Sequence, residues 1–168
     1  DAADILSRAT PSPFEITASS PAITLSAVPP AASWNVPISV GVDQLRPYTA
    51  YLFEVSAFTS DGEGQVASTM VRMPESAPED PPQNVSVLNM TSRLISVSWN
   101  SPNIITGKFT YVLYLYGPTG FLYDNSTLDT RFLFTGLTPY TKYRVDVRAK
   151  AAGEVGPAAE KVVITPTE

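Results

Sequence analysis

Residues 45–51 read Leu45-Arg46-Pro47-Tyr48-Thr49-Ala50-Tyr51, and 92 positions later residues 137–143 read Leu137-Thr138-Pro139-Tyr140-Thr141-Lys142-Tyr143. Five of the seven positions are identical, so the chain carries two copies of one module. Each copy continues into an alternating stretch, Tyr51, Phe53, Val55 and Ala57 in the first and Tyr143, Val145, Val147 and Ala149 in the second. Side chains two apart share one face of a β-strand, so each copy turns an aromatic ring and a column of apolar residues toward a core.

Composition narrows the chemistry. A length of 168 residues and a 92-residue offset give two small domains. Sixteen prolines, 10% aromatics and the lack of any long apolar stripe of period 3.6 make the chain all-β. The net charge of −5 sits in the first half: residues 1–77 hold eight acids and three bases, residues 78–168 eight of each. Neither half has the basic excess that a nucleic-acid partner requires.

Cysteine and histidine are both absent. That excludes a thiolate nucleophile, a disulfide framework, a thiolate zinc site and an imidazole base. A serine nucleophile would need a lysine base, and no such pairing stands out. There is no phosphate-cradling glycine loop followed by lysine. The chain is expected to be non-catalytic, with no cofactor and no metal. No apolar run approaches the roughly 20 residues of a membrane span, and Asp1 does not open a signal peptide, so a piece of a longer chain is expected.

Seven short strands are predicted after residue 80. Pro81–Leu88 reads as an edge strand led by prolines, which cannot donate ladder bonds. After a turn at Asn89–Ser92, Leu94–Trp99 places Ile95, Val97 and Trp99 on one face. Phe109–Tyr116 turns Tyr111, Leu113 and Leu115 inward, and Phe121–Tyr123, Arg131–Thr135, Tyr143–Ala149 and Glu160–Ile164 follow. Strands at this spacing, separated by turn signals, fit a Greek-key sandwich of about 100 residues.

Four features carry a resemblance to a known family: the proline-led first strand, Trp99 followed by Pro102, the Leu137-x-Pro139-x-Thr141-x-Tyr143 corner, and Gly153-Glu154-x-Gly156-Pro157 before the last strand. Together they resemble the fibronectin type III domain over Pro81–Thr165. The fold this implies is two tandem Greek-key β-sandwiches of the fibronectin type III, immunoglobulin-like type, over residues 1–77 and 78–168. In the corner, the leucine would plug the core and the proline stiffen the turn. The tyrosine ring would pack inside while its hydroxyl reaches back to the backbone.

The first copy matches over less of its length. Ile23–Pro30 aligns without a gap to Ile95–Pro102 at an offset of 72, against 92 at the corner. On that alignment the first module lacks about 20 residues between Pro30 and Leu45, the equivalent of the third and fourth strands. Natural shortening, a deletion and an omitted loop are the readings open. Ala27 would stand where the second copy has Trp99, with Trp34 filling the gap from another direction. Between the copies, Met73–Pro82 holds four prolines in ten positions and reads as an extended, semi-rigid link.

Three asparagines, Asn84, Asn89 and Asn125, fit the glycosylation sequon, where chance would give about one. Asn84 should point outward because Val85 and Val87 point inward, and Asn89 and Asn125 are placed at turns. The bland alternative is unmodified polar turn residues. On the outward face of the sheet, Tyr114 and Tyr116 should lie beside Arg144, Asp146 and Arg148. Tyr and Arg dominate binding hot spots, which makes Tyr114, Tyr116, Arg144 and Arg148 a candidate protein-binding face. The same residues could equally satisfy one another, since guanidinium over tyrosine contributes about 0.5–1 kcal/mol at an exposed site. Asp61-Gly62-Glu63-Gly64 and Glu79-Asp80 offer too few oxygens for calcium. Lys142, Arg144, Arg148 and Lys150 could attract a sulfated glycan, but Asp146 interrupts them. No Arg-Gly-Asp tripeptide occurs.

The stretch Pro81–Val87 and the Thr138–Tyr143 corner resemble repeats of receptor-type protein tyrosine phosphatases. That resemblance implies a long extracellular rod, a single membrane span and a cytoplasmic phosphatase domain outside these residues. The expected role is an extracellular spacer and adhesion or recognition surface of a single-pass plasma-membrane protein. Its partners would be another protein or neighbouring repeats of the same ectodomain, and contact with the membrane would come only through the parent's span. Linker modules of a secreted carbohydrate-active enzyme and a cytoplasmic muscle-type array are the alternatives.

Overall fold

Alternation becomes burial most completely in the second copy. In the computed structural model, which describes the backbone of Phe14–Ala18 and Ile23–Ala27 and all of residues 41–168, twelve strands and no helix occur among the described residues. The strands are β1 (Phe14–Ala18), β2 (Ile23–Ala27), β3 (Ala50–Thr59), β4 (Gly62–Glu63), β5 (Ala67–Arg72) and β6 (Gln83–Thr91). They continue with β7 (Leu94–Asn100), β8 (Thr110–Gly117), β9 (Gly120–Thr127), β10 (Arg131–Thr135), β11 (Lys142–Ala151) and β12 (Glu154–Ile164). The chain divides into two units, Asp1–Met73 and Pro74–Glu168.

The second unit is a two-sheet sandwich. One sheet has the order β10-β7-β6 and the other β12-β11-β8-β9, all antiparallel. Ile95, Val97 and Trp99 from the first sheet meet Tyr111, Leu113, Leu115, Tyr143, Val145, Val147 and Ala149 from the second in one buried cluster, closed by Phe134 and Leu137. Every residue predicted to point inward on these strands does so. The Trp99 ring meets the Tyr111 ring edge-on at 5.4 Å.

Several strands run further than predicted, and two of them take in sequon asparagines. The fourth extends from Gly120 to Thr127, so Asn125 lies in a strand opposite Leu113 and not at a turn. The first reaches Thr91, which places Asn89 in a strand at a break in register.

The boundary also moves, from the expected 77/78 to 73/74. The proline-rich stretch belongs to the second unit because it bonds there. Ser76 N–H donates to the Thr106 carbonyl at 2.9 Å, and the Glu75 carboxylate accepts from Lys108 N–H at 2.8 Å. Asp80 takes the N–H groups of Asn103 and Ile104 at 2.8 and 3.3 Å. Its carboxylate is thereby occupied as a loop brace. Pro78 is buried against Gly156, where a Cβ would lie 2.6 Å from the proline Cβ.

In the first unit, the described strands form one sheet of order β2-β1-β3, with β4 and β5 sharing the far edge of β3. This overturns the alignment of Ile23–Pro30 with the Trp99 strand. Phe14 stands opposite Ala57 as Tyr111 stands opposite Ala149, so β1 holds the place of β8, and β2 that of β9. From Phe14 to the corner Tyr51 the first copy spans 37 positions, and from Tyr111 to Tyr143 the second spans 32. No third- or fourth-strand deficit therefore exists on this pairing, and β1 covers the edge of β3 that such a deficit would leave bare. The alignment failed because alternation is common to all half-buried strands and does not say which sheet a strand joins. Trp34 and residues 28–40 lie outside the described residues.

At the corner the two copies share the bonds made by their tyrosine and threonine hydroxyls. Tyr51 Oη accepts from Arg46 N–H and Tyr143 Oη from Thr138 N–H, both at 2.9 Å. Thr49 Oγ1 donates to the Pro47 carbonyl at 2.9 Å, and Thr141 Oγ1 to the Pro139 carbonyl at 2.8 Å. Tyr48 and Tyr140 both take left-handed backbone, at φ 51° and 48°. The 92-residue offset persists through the last strand, since Phe58 pairs Glu63 as Lys150 pairs Val155.

Candidate functional site: the outer face of the second module

Strand register assembles this face in rows. Tyr114 and Tyr116 on β8 lie opposite Asp146 and Arg144 on β11, which lie opposite Glu160 and Val162 on β12. On the other side of β8, Phe121 faces Tyr116 and Asp124 faces Tyr114. The four residues predicted for this surface are brought together. The Arg144 guanidinium lies 4.1 Å from the Tyr116 ring centre, and that of Arg148 lies 5.8 Å from Tyr114.

Sequence reasoning missed two members, Phe121 and Glu160, and the burial of a third, Asp146. Phe121 packs edge-on against Tyr116 at 5.7 Å and tilted against Tyr114 at 6.3 Å, while remaining 55% exposed. Its strand was predicted, yet only the register shows that it turns to this side. Asp146 is outward-facing as expected but buried, since long neighbours cover the short carboxylate. Glu160 lies directly opposite it.

Burial raises the Asp146 pKa above its ordinary value; the Arg144 charge opposes that shift and the Glu160 charge adds to it. Arg144 Nη2 donates to Asp146 Oδ2 at 3.3 Å. Arg144 Nε lies 3.0 Å from Oδ1, but off the N–H direction, so that contact is an ion pair without a hydrogen bond. Arg148 Nη1 donates to the Gly156 carbonyl at 3.1 Å. With Arg144 and Arg148 engaged in this way and only Lys142 and Lys150 exposed, the four cations do not form a sulfate-binding row. The face can present aromatic edges and fixed guanidinium groups, which suits protein recognition rather than bond-making.

The three sequon asparagines are all exposed. Asn84 has φ 52°, at an irregularity in β6, while Asn125 lies on β9, the strand that ends its sheet. A cleft of about 580 Å³ opens beside that edge, lined by Leu122, Tyr123, Leu137 and Tyr143 among others. Burial, with the neighbouring Tyr143, raises the pKa of Tyr123 there.

The family model described as Fibronectin type III domain matches residues 80–165, half of the sequence. The chain belongs to the fibronectin type III family. These fibronectin type III modules are similar to phosphatidylinositol phosphatase PTPRQ of Rattus norvegicus, 53% identical over 135 residues and 80% of this chain. To PTPRQ of Homo sapiens they are 47% identical over 163 residues and 97% of this chain. Receptor-type tyrosine-protein phosphatase F of Homo sapiens is 30% identical over 72% of the chain. The chain spans only 6–7% of the length of these relatives. The crystal structure of domains d3-d4 of the rat CD45 extracellular region has the same fold, with a TM-score of 0.61 and 21% identity, covering 87% of this chain and 91% of that one.

Proposed function

We propose that these two modules are an extracellular spacer and recognition segment of a single-pass cell-surface receptor, and that they do no chemistry themselves. The observation that carries this reading is the similarity to PTPRQ along nearly the whole chain, across both modules and not only the family corner. The same similarity favours a receptor over a carbohydrate-active linker or a muscle-type array. The parent would carry a phosphatase domain outside this stretch. The relatives' printed names cover both a phosphatidylinositol phosphatase and a receptor-type tyrosine-protein phosphatase, in keeping with the receptor phosphatase inferred from sequence. Inner-ear hair bundles, the setting that the resemblance to PTPRQ implies, are the place to look.

The recognition surface in this reading is the face of Tyr114, Tyr116, Arg144 and Arg148, capped by exposed Phe121. Its partner is a protein or a neighbouring repeat. An epitope tag inserted in the Asp61–Gly62 turn of the parent should be reached by antibody on intact cells; staining only after permeabilisation overturns the reading. Tyr114→Ala or Arg148→Ala should abolish partner capture with melting unchanged. Capture that survives both substitutions removes this face from the proposal.

A further inference from the structure

One sequon differs from the other two in what stands beside it. Tyr123, Asn125 and Thr127 are alternate residues of β9, paired with Leu115, Leu113 and Tyr111, so all three share the strand's core-side face. β9 is the last strand of its sheet, and its end of the face overhangs the sandwich. Tyr123 therefore packs on Phe134, ring centres 6.2 Å apart, yet stays 38% exposed. Asn125 is exposed; its Oδ1 accepts from Ser126 N–H at 3.3 Å, and its Nδ2 makes no hydrogen bond among the described residues. Two positions before Asn84 and Asn89 stand Pro82 and Val87, which offer no aromatic ring. The edge also carries uncovered Leu122 and Leu128. An apolar strand edge of this kind is a pairing hazard unless something blocks it.

We propose that Asn125 carries an N-linked glycan whose first sugar stacks on the Tyr123 ring and seals the β9 edge, an inference that rests on the extracellular reading. The apolar C–H face of N-acetylglucosamine matches the ring, and burying both removes apolar surface from water. In the attachment, the Asn125 amide nitrogen bonds to the anomeric carbon of a lipid-pyrophosphate-linked oligosaccharide. The carbon–oxygen bond to phosphate breaks, the pyrophosphate leaves with the bonding pair, and the amide gives up one proton. The bulky, solubilising product then stands where a second strand would have to pair.

The test uses the whole chain secreted from glycosylating cells. Peptide mass spectrometry should find Asn125 occupied. Trimming to a single N-acetylglucosamine should leave the melting of the second module unchanged, and complete removal should lower it by about 4 °C. That difference should vanish in Tyr123→Leu, which keeps apolar packing on Phe134 but loses the ring face. In the trimmed form, nuclear Overhauser contacts should link the sugar to the Tyr123 ring. An equal difference in Tyr123→Leu, or no sugar–ring contact, overturns the proposal. Occupied Asn84 or Asn89 with Asn125 bare overturns it too, while leaving the extracellular reading intact.

Discussion

Tyr143 Oη accepts the backbone N–H of Thr138 at 2.9 Å, and the phenol that does so is 96% removed from solvent. Removing the oxygen leaves that N–H without its partner beside a buried ring. Tyr143→Phe should therefore cost about 1–3 kcal/mol, measured by chemical denaturation. For a domain of this size that corresponds to a fall in melting temperature of at least about 4 °C. Tyr51→Phe should repeat the effect in the first unit through Arg46.

Gly156 is held to glycine by Pro78. A Cβ at position 156 would meet the proline Cβ at 2.6 Å and its carbonyl oxygen at 3.2 Å. Gly156→Ala should destabilise the second module by about 1–3 kcal/mol. Pro78→Gly in the same chain removes the ring carbons from that contact, so the two substitutions should couple favourably in a double-mutant cycle.

Ala152 and Gly153 link β11 to β12 with φ values of 52° and 78°, the backbone of a type I′ hairpin turn. Alanine is the strained partner, because its Cβ crowds the following carbonyl in left-handed backbone. Ala152→Asn should stabilise the module by about 0.5–1 kcal/mol, read as a higher denaturation midpoint with unchanged slope.

Asp146 is buried and its pKa is raised from the ordinary 3.8, first by burial and further by Glu160, against the pull of Arg144. A carboxyl that binds its proton more tightly folded than unfolded adds stability as pH falls. The gain begins near the raised folded value and is complete below 3.8. Glu160→Gln should lower the Asp146 pKa by removing the like charge across the strand pair. Carboxyl-carbon NMR titration reads this directly, and a rise in the Asp146 pKa would contradict the account.

Much of the second module was legible because its signals are local. The inward columns Ile95-Val97-Trp99 and Tyr143-Val145-Val147 follow from a period of two, and the corner hydroxyl bond follows from a tyrosine placed just after a proline turn. The outer face was legible by the same alternation, which placed Tyr114, Tyr116, Arg144 and Arg148 together. Burial of Asp146 was not, since it depends on how the Arg144 and Tyr116 side chains lie across it. Nor was the membership of residues 74–77 in the second unit, which is fixed by hydrogen bonds from Glu75 and Ser76 to a loop 30 to 33 positions away.

The sequence by itself determined that the chain holds two copies of one β module, which residues of the second copy face its core, and that neither histidine nor cysteine chemistry is available. Tertiary structure alone decided that Ile23–Ala27 joins the Tyr51 sheet, that Pro78 locks against Gly156, and that Tyr123 and Asn125 overhang an open edge. The division has one physical cause. Alternation is set by the geometry of a single strand and can be read along the chain. The partner a strand pairs with is set by contacts between distant segments, which many alternating sequences can satisfy equally well.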